Sequence, residues 1–151
     1  MVSVQALANT ILRMGEQDGT KISPMKLQKL MYYVCVEYAQ NTGRNLIAEH
    51  FCVWKYGPVL PSVYDEFHSY GSEPIRSYAK NANGKSYALM EETPENVYGI
   101  IKDVWNRFSP FSAIELSRRT HLEGSGWSRA FERKSELISL DDMINDTTLT
   151  L

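Results

Sequence analysis

Ser23-Pro24-Met25-Lys26-Leu27-Gln28-Lys29-Leu30-Met31-Tyr32-Tyr33-Val34-Cys35-Val36-Glu37-Tyr38 is the stretch that decides the fold. Ser23 carries the side-chain oxygen that a helix N-cap needs, and Pro24 falls at the first helical position, where its missing N–H costs nothing. Leu27, Leu30, Met31, Val34 and Tyr38 then recur on one helical face. Tyr33 widens that face, while Tyr32 and Val36 lie off it. A helix apolar around so much of its girth is either surrounded by other elements or presents a contact surface. The spacing therefore predicts a domain of mainly α class, α+β in detail, built around this helix, with Tyr32 as an aromatic outside the core stripe that can dock a second chain.

Working outward, Val4, Leu7, Ala8, Ile11 and Leu12 predict a first helix capped by Ser3 and ending near Gly15. Downstream, Ser62 and Gly71 bound a short helix over 62–70 that brings Val63, Tyr64 and Phe67 to one side. Asn83-Gly84 is a strong two-residue turn signal, and Ser77-Tyr78-Ala79-Lys80 answers Ser86-Tyr87-Ala88-Leu89, so a small β-hairpin is expected at 76–89. Thr93-Pro94 opens the most regular amphipathic helix of the chain, with Val97, Ile100, Ile101, Val104, Trp105 and Phe108 on its face. Ser112 and Glu115 form a capping-box pattern for a helix to about residue 119, and a further helix covers 127–134. Residues 1–140 read as one helical-bundle domain, and 141–151 as a short, partly frayed tail.

Between the second and third helices the chain bends at close quarters. Residues 51–56 read as a short extended stretch that feeds a turn at Gly57 and Pro58: glycine permits backbone angles that a side chain forbids, and proline fixes the next one. Trp54, Tyr56 and Tyr64 surround the bend. As core residues they would hold the turn to the central helix; as surface residues they would form an aromatic platform of the kind favoured in binding hot spots. Gly124-Ser125-Gly126 lacks the lysine and spacing of a phosphate-binding loop and serves the turn before Trp127.

Composition excludes several classes of function. A chain of 151 residues with 43% hydrophobic and 23% charged residues fits one soluble domain large enough to need no metal or disulfide staple. No apolar run is long enough to cross a bilayer, and residues 1–13 lack the pattern of a secretory leader, so a cytoplasmic location is expected. Cys35 and Cys52 have no cysteine neighbour at zinc-ligand spacing and read as reduced thiols; no metal or cofactor is expected. A net charge of −2 gives no overall attraction to nucleic acid or anionic lipid.

No catalytic constellation stands out. His121 with Glu123, or His68 with Asp65 and Glu66, could exchange protons, the first as the centre of an unrecognised hydrolase, but a histidine bonded at a helix end or on a solvated face is the plainer reading. Asp141, Asp142 and Asp146 fall short of a calcium loop and read as a solvated end. Residues 112–134 superficially imitate a helix-turn-helix, with Arg118, Arg119, Arg129, Arg133 and Lys134 as phosphate contacts. Interleaved Glu115, Glu123, Glu132 and Glu136, and Trp127 at the start of the reading helix, argue against it. A DNA-binding regulator is the alternative function.

Lys26-Leu27-Gln28-Lys29-Leu30-Met31-Tyr32-Tyr33, Val53-Trp54-Lys55-Tyr56-Gly57-Pro58-Val59, and Leu116-Ser117 with Thr120, His121 and Trp127 together resemble the Panacea domain, a family that includes SocA-like antitoxins and phage-associated proteins of the GepA type. The likeness runs from about residue 3 to about residue 140. It implies a non-enzymatic antitoxin that neutralises a cognate protein toxin, encoded by the adjacent gene, by direct binding or by delivering it to a protease as an adaptor. Trp54, Tyr56, Tyr64 and Tyr32 are the expected partner-binding residues, and Gly57, Pro58, His121 and Trp127 the expected structural motif.

Overall fold

The central helix is longer and more enclosed than any other element in the computed structural model, which describes residues 1–151. It runs Pro24–Thr42 (α2), with the Ser23 hydroxyl accepting from the Lys26 N–H and Gly43 closing it in the left-handed region. Its apolar girth is explained by its neighbours. Helices α1 (Val4–Asp18), α3 (Pro61–Phe67), α4 (Val97–Phe108), α5 (Ala113–His121) and α7 (Leu140–Ile144) all pack on it, as does the second strand of a two-stranded ribbon, β1 (Cys52–Trp54) and β2 (Gly57–Val59). Helix α6 (Gly126–Glu132) lies between α5 and α7. The chain is thus mainly α, with seven helices and one small antiparallel sheet in a single domain.

Because α2 is surrounded, residues off its main stripe are buried as deeply as those on it. Tyr32 and Val36 are 0% exposed. The expected role of Tyr32 in docking a partner is therefore corrected: its ring meets Phe51 edge-on at 5.3 Å and its hydroxyl donates to Asp146 Oδ2 at 2.5 Å. Tyr33 stacks on Phe108 at 4.6 Å, joining α2 to α4. Each such buried aromatic contributes roughly 1.5–3 kcal/mol of hydrophobic stabilisation.

The β-ribbon stands at 52–59 and not at the expected 76–89. Asn83-Gly84 does form a tight turn, with Asn81 N–H donating to Lys85 O at 2.8 Å and Gly84 N–H to Asn81 O at 2.9 Å. The two arms then fail to pair because α1 takes their hydrogen bonds. The Asn9 amide bonds Ala79 N–H and both the Ala79 and Tyr87 carbonyls, the Thr10 hydroxyl accepts from Leu89 N–H, and Arg13 donates to Leu89 O. Buried polar groups on a helix have captured the backbone that a partner strand would have used.

Helix boundaries shift for local reasons. α1 continues past Gly15 to a left-handed Gly19 cap. α3 starts at Pro61 with no side-chain cap, and a 3-10 turn over His68–Tyr70 carries it to Gly71. α5 has the full capping box of Ser112 and Glu115.

The C-terminal tail is packed, not frayed. α7 is capped reciprocally by Ser139 and Asp142, and Thr148–Thr150 form a 3-10 turn against α2. Asp142 and Asp146 are buried, which corrects their reading as a solvated end. Asp142 accepts both guanidinium nitrogens of Arg133 at 2.6 and 2.7 Å. Asp146 accepts from Tyr32 O–H, Gly126 N–H, Thr148 N–H and the Thr148 hydroxyl, tying α2, α6 and the last turn to one carboxylate.

Candidate partner-binding site

The residues singled out in three separate stretches converge on the ribbon. From residue 54 to residue 60 its backbone carbonyls are held by side chains of the surrounding helices. Trp127 Nε1–H donates to Trp54 O at 2.8 Å, His121 Nε2 lies 2.7 Å from Lys55 O, and Ser117 Oγ–H donates to Tyr56 O at 2.7 Å. Lys29 Nζ donates to Pro58 O at 3.0 Å, and the Gln28 amide both donates to Leu60 O and accepts from Leu60 N–H. The paired polar residues Gln28 and Lys29, inside an otherwise apolar helix, were the sequence signal for this clamp. No functional role had been attached to them or to Ser117.

Gly57 is where the clamp is tightest. Its φ is +117°, and an added Cβ would stand 2.7 Å from Thr120 Oγ1 and 2.8 Å from Lys29 Cε. Pro58 follows it within β2, buried, with the turn itself formed by Lys55 and Tyr56. Gly57, Pro58, His121 and Trp127 are thus brought together as structural parts of one unit.

Both edges of the ribbon are closed. On the β1 side, Val53 N–H donates to Glu136 O and Ile138 N–H donates to Phe51 O, with Cys52 bridging to Leu137. On the β2 side, Pro58 has no N–H to offer and its carbonyl is taken by Lys29.

What remains open is a row of side chains. Trp54 is 38% exposed, Tyr56 58% and Tyr64 44%, so these three expected partner residues do face solvent. Trp54 meets Tyr64 edge-on at 5.0 Å, and Tyr64 stacks on His68 at 5.1 Å. On the other side of the clamp, Trp127 stacks on Phe131 at 5.0 Å, and Phe131 is exposed. Sequence reading passed over Phe131 because the 127–134 helix was weighed for its basic residues as a DNA reader and not for its aromatics. Trp54, Tyr56, Tyr64 and Lys55 wall a groove of about 450 Å³, floored by Gln28 and Lys29 of α2.

The two histidine readings find no chemistry here. His121 Nδ1 lies 2.6 Å from Ser117 O, so both of its ring nitrogens face carbonyls and none is free to take a substrate proton. His68 Nδ1 faces the Tyr64 and Asp65 carbonyls of its own helix. No cluster of three or more His, Cys, Asp and Glu side chains could hold a metal ion. Within 112–134, three of the five candidate phosphate contacts are engaged inside the chain: Arg119 donates to Thr148 O, Arg133 is held by Asp142, and Arg129 lies 3.8 Å from the same carboxylate, leaving Arg118 and Lys134 exposed. We expect duplex DNA to show no salt-sensitive binding, because phosphate contacts would give affinity that falls steeply with salt. Sub-micromolar binding lost on adding salt would reverse that reading.

Lys29 is the unusual charge of the site. Burial pushes its ammonium down to about 7, whereas the unfolded chain keeps a lysine near about 10.4. Between these values the unfolded state binds more protons, so folding stability rises with pH across that window; below it both states are protonated and the full desolvation penalty remains. Denaturation measured from pH 7 to about pH 8 should show stability rising by up to about 1.4 kcal/mol per pH unit, a slope that Lys29→Met should remove. That range lies below about pH 8.5, where the unfolded thiols of Cys35 and Cys52 begin to oppose the rise. A flat parent profile would show that the ammonium stays charged and solvated.

Residues 27–128 match the family described as Antitoxin SocA-like, Panacea domain. The match spans the clamp from α2 to α6. Antitoxin SocA of Caulobacter vibrioides (strain NA1000 / CB15N) is 30% identical over 129 residues, 83% of this chain and 69% of that protein. No solved structure matches the chain. No helix is long and apolar enough to cross a membrane.

Proposed function

The chain belongs to the SocA-like, Panacea-domain antitoxin family, and from that premise we propose that it is a non-enzymatic antitoxin that neutralises one cognate protein toxin, the product of the adjacent gene, by direct binding. The carrying observation is the ribbon: helix side chains hold its carbonyls at Trp54, Lys55, Tyr56 and Pro58, while Trp54 and Tyr56, joined by Tyr64 of α3, face solvent beside an open groove. Large aromatics on a rigid mount lose little conformational freedom on binding, which is what makes them effective hot spots. We infer that the toxin covers this face, extending toward Trp127 and Phe131. An interface of ordinary size, about 800 Å² per partner, is readily accommodated.

Co-expression with the neighbouring gene tests the reading. Rescue of growth should accompany copurification of a complex. Trp54→Ala or Tyr56→Ala should weaken that complex by about 2 kcal/mol or more, roughly thirtyfold, while changing folding stability by no more than roughly 0.5 kcal/mol for the exposed Tyr56. Simple occlusion leaves the toxin's level unchanged in rescued cells. A fall in toxin level that requires a cellular protease would assign the adaptor mechanism instead, and rescue with neither complex nor toxin loss would sink both.

A further inference from the structure

The groove beside the ribbon has a chemical bias that an aromatic platform alone does not explain. Its lining includes Lys29, Lys55 and His68 but no aspartate or glutamate, in a chain whose net charge is −2. Lys29 is 1% exposed, yet it makes no ion pair, and its one hydrogen bond goes to the Pro58 carbonyl. An ammonium has three donors, so two have no acceptor in the chain. Met25, Trp54 and Tyr64 supply apolar walls around that floor. A larger cavity of about 700 Å³ lies between α1 and residues 73–78, but Glu16 and Glu73 offset Lys21 and Arg76 there and leave no such bias.

We propose that this groove receives an acidic stretch of the toxin's chain, with an aspartate or glutamate side chain seated on Lys29 and an apolar neighbour laid against Trp54 and Tyr64. The proposal rests on the antitoxin reading for the existence of a protein partner. Charge complementarity selects the occupant: a carboxylate supplies the counter-ion that Lys29 lacks, and Lys55 at the exposed rim draws the same charge inward. Burial has already lowered the proton affinity of Lys29, and an arriving carboxylate favours its charged form. With both ribbon edges closed, the segment is held by its side chains and not by strand addition. A nucleic acid offers the same kind of charge, but the groove is lined by only two lysines, and Arg119 and Arg133 of the adjoining helices are engaged by Thr148 O and Asp142.

The test uses the protein alone. Acetylated and amidated dodecapeptides of alternating Leu and Asp, their Leu and Asn isosteres, and an oligo-dT strand are titrated into isotopically labelled protein while the Trp54 indole and Met25 methyl signals are followed. The Asp peptide should shift both signals and bind about tenfold or more tightly than the Asn peptide, the value of a charge-assisted hydrogen bond. Lys29→Met should erase that preference. Lys55→Glu, at an exposed position where folding is not at stake, should weaken the Asp peptide about fivefold or more. Equal binding of the two peptides, shifts confined to other surfaces, no binding at millimolar peptide, or tighter binding of oligo-dT would each overturn the proposal. In cells the two ideas separate: undiminished rescue by Lys55→Glu and Lys29→Met variants leaves the antitoxin standing and removes the groove from its mechanism. A surviving Asp preference without any toxin does the reverse.

Discussion

Gly57→Val should destabilise the protein by about 3–5 kcal/mol, a large part of the 5–15 kcal/mol that holds a typical domain together. Two costs combine. At φ +117° a β-branched residue meets conformational strain of about 1–3 kcal/mol. The new side chain also enters space occupied by the Thr120 hydroxyl and the Lys29 stem, and such overpacking adds typically about 1–3 kcal/mol. Gly43→Ala provides the comparison, because Gly43 has φ +71° but nothing within 4 Å of an added Cβ. It should cost only about 1 kcal/mol. Equal unfolding midpoints for the two variants would show that the close approach at Gly57 is relieved freely and that the clamp is looser than its contacts indicate. Gly57→Val should also lose the proposed toxin binding, since Lys29 cannot yield without moving the ribbon it holds at Pro58 O.

Asp146→Ala is the second variant with a large expected effect, again about 3–5 kcal/mol. It leaves the Tyr32 O–H, the Gly126 N–H and the Thr148 N–H without the acceptor each now has, in buried surroundings where an unsatisfied group costs about 1–3 kcal/mol. Burial first, and the Asp146 carboxylate next, hold the Tyr32 phenol protonated far above the ordinary tyrosine range, so this donor is present throughout the accessible pH range. Tyr32→Phe removes one donor together with its demand and should cost only about 1 kcal/mol. Urea denaturation of the three proteins orders them directly. A parent-like Asp146→Ala would mean that water replaces the carboxylate and the last turn is not fastened by it.

These two sites mark where sequence reading succeeded and where it stopped. Capping residues and apolar spacing identified α1, α2, α4 and α5 because those signals are local: Ser3, Ser23 and Ser112 each bond a backbone N–H three residues on. Glycine followed by proline marked a constrained stretch, yet the turn expected at Gly57 and Pro58 falls on Lys55 and Tyr56, and Gly57 and Pro58 lie within β2. Long-range satisfaction of polar groups was not visible. Nothing near Asn83-Gly84 reveals that Asn9, seventy residues away along the chain from Ala79, will take the hydrogen bonds of a hairpin. Nothing in the polar run after residue 140 reveals that Asp146 will reach Tyr32. Tyr32 itself was misplaced because helical periodicity separates a main face from the rest but cannot tell that a helix is enclosed on every side. Trp54, Tyr56 and Tyr64 were found as a group from their crowding around the bend, and their solvent-facing positions required the fold.

The closed edges of the ribbon bear on how the protein behaves when it has no partner. A short strand with free N–H and C=O groups is a template for a second copy, and a protein that also displays exposed aromatics would ordinarily risk aggregation by that route. Here the proline at position 58 and the lysine that caps its carbonyl leave no main-chain template on one side, and residues 136–138 cover the other. What apolar surface the ribbon exposes is left to side chains such as Trp54 and Tyr56. Such a molecule can be kept in standing excess over whatever it restrains without condensing on itself.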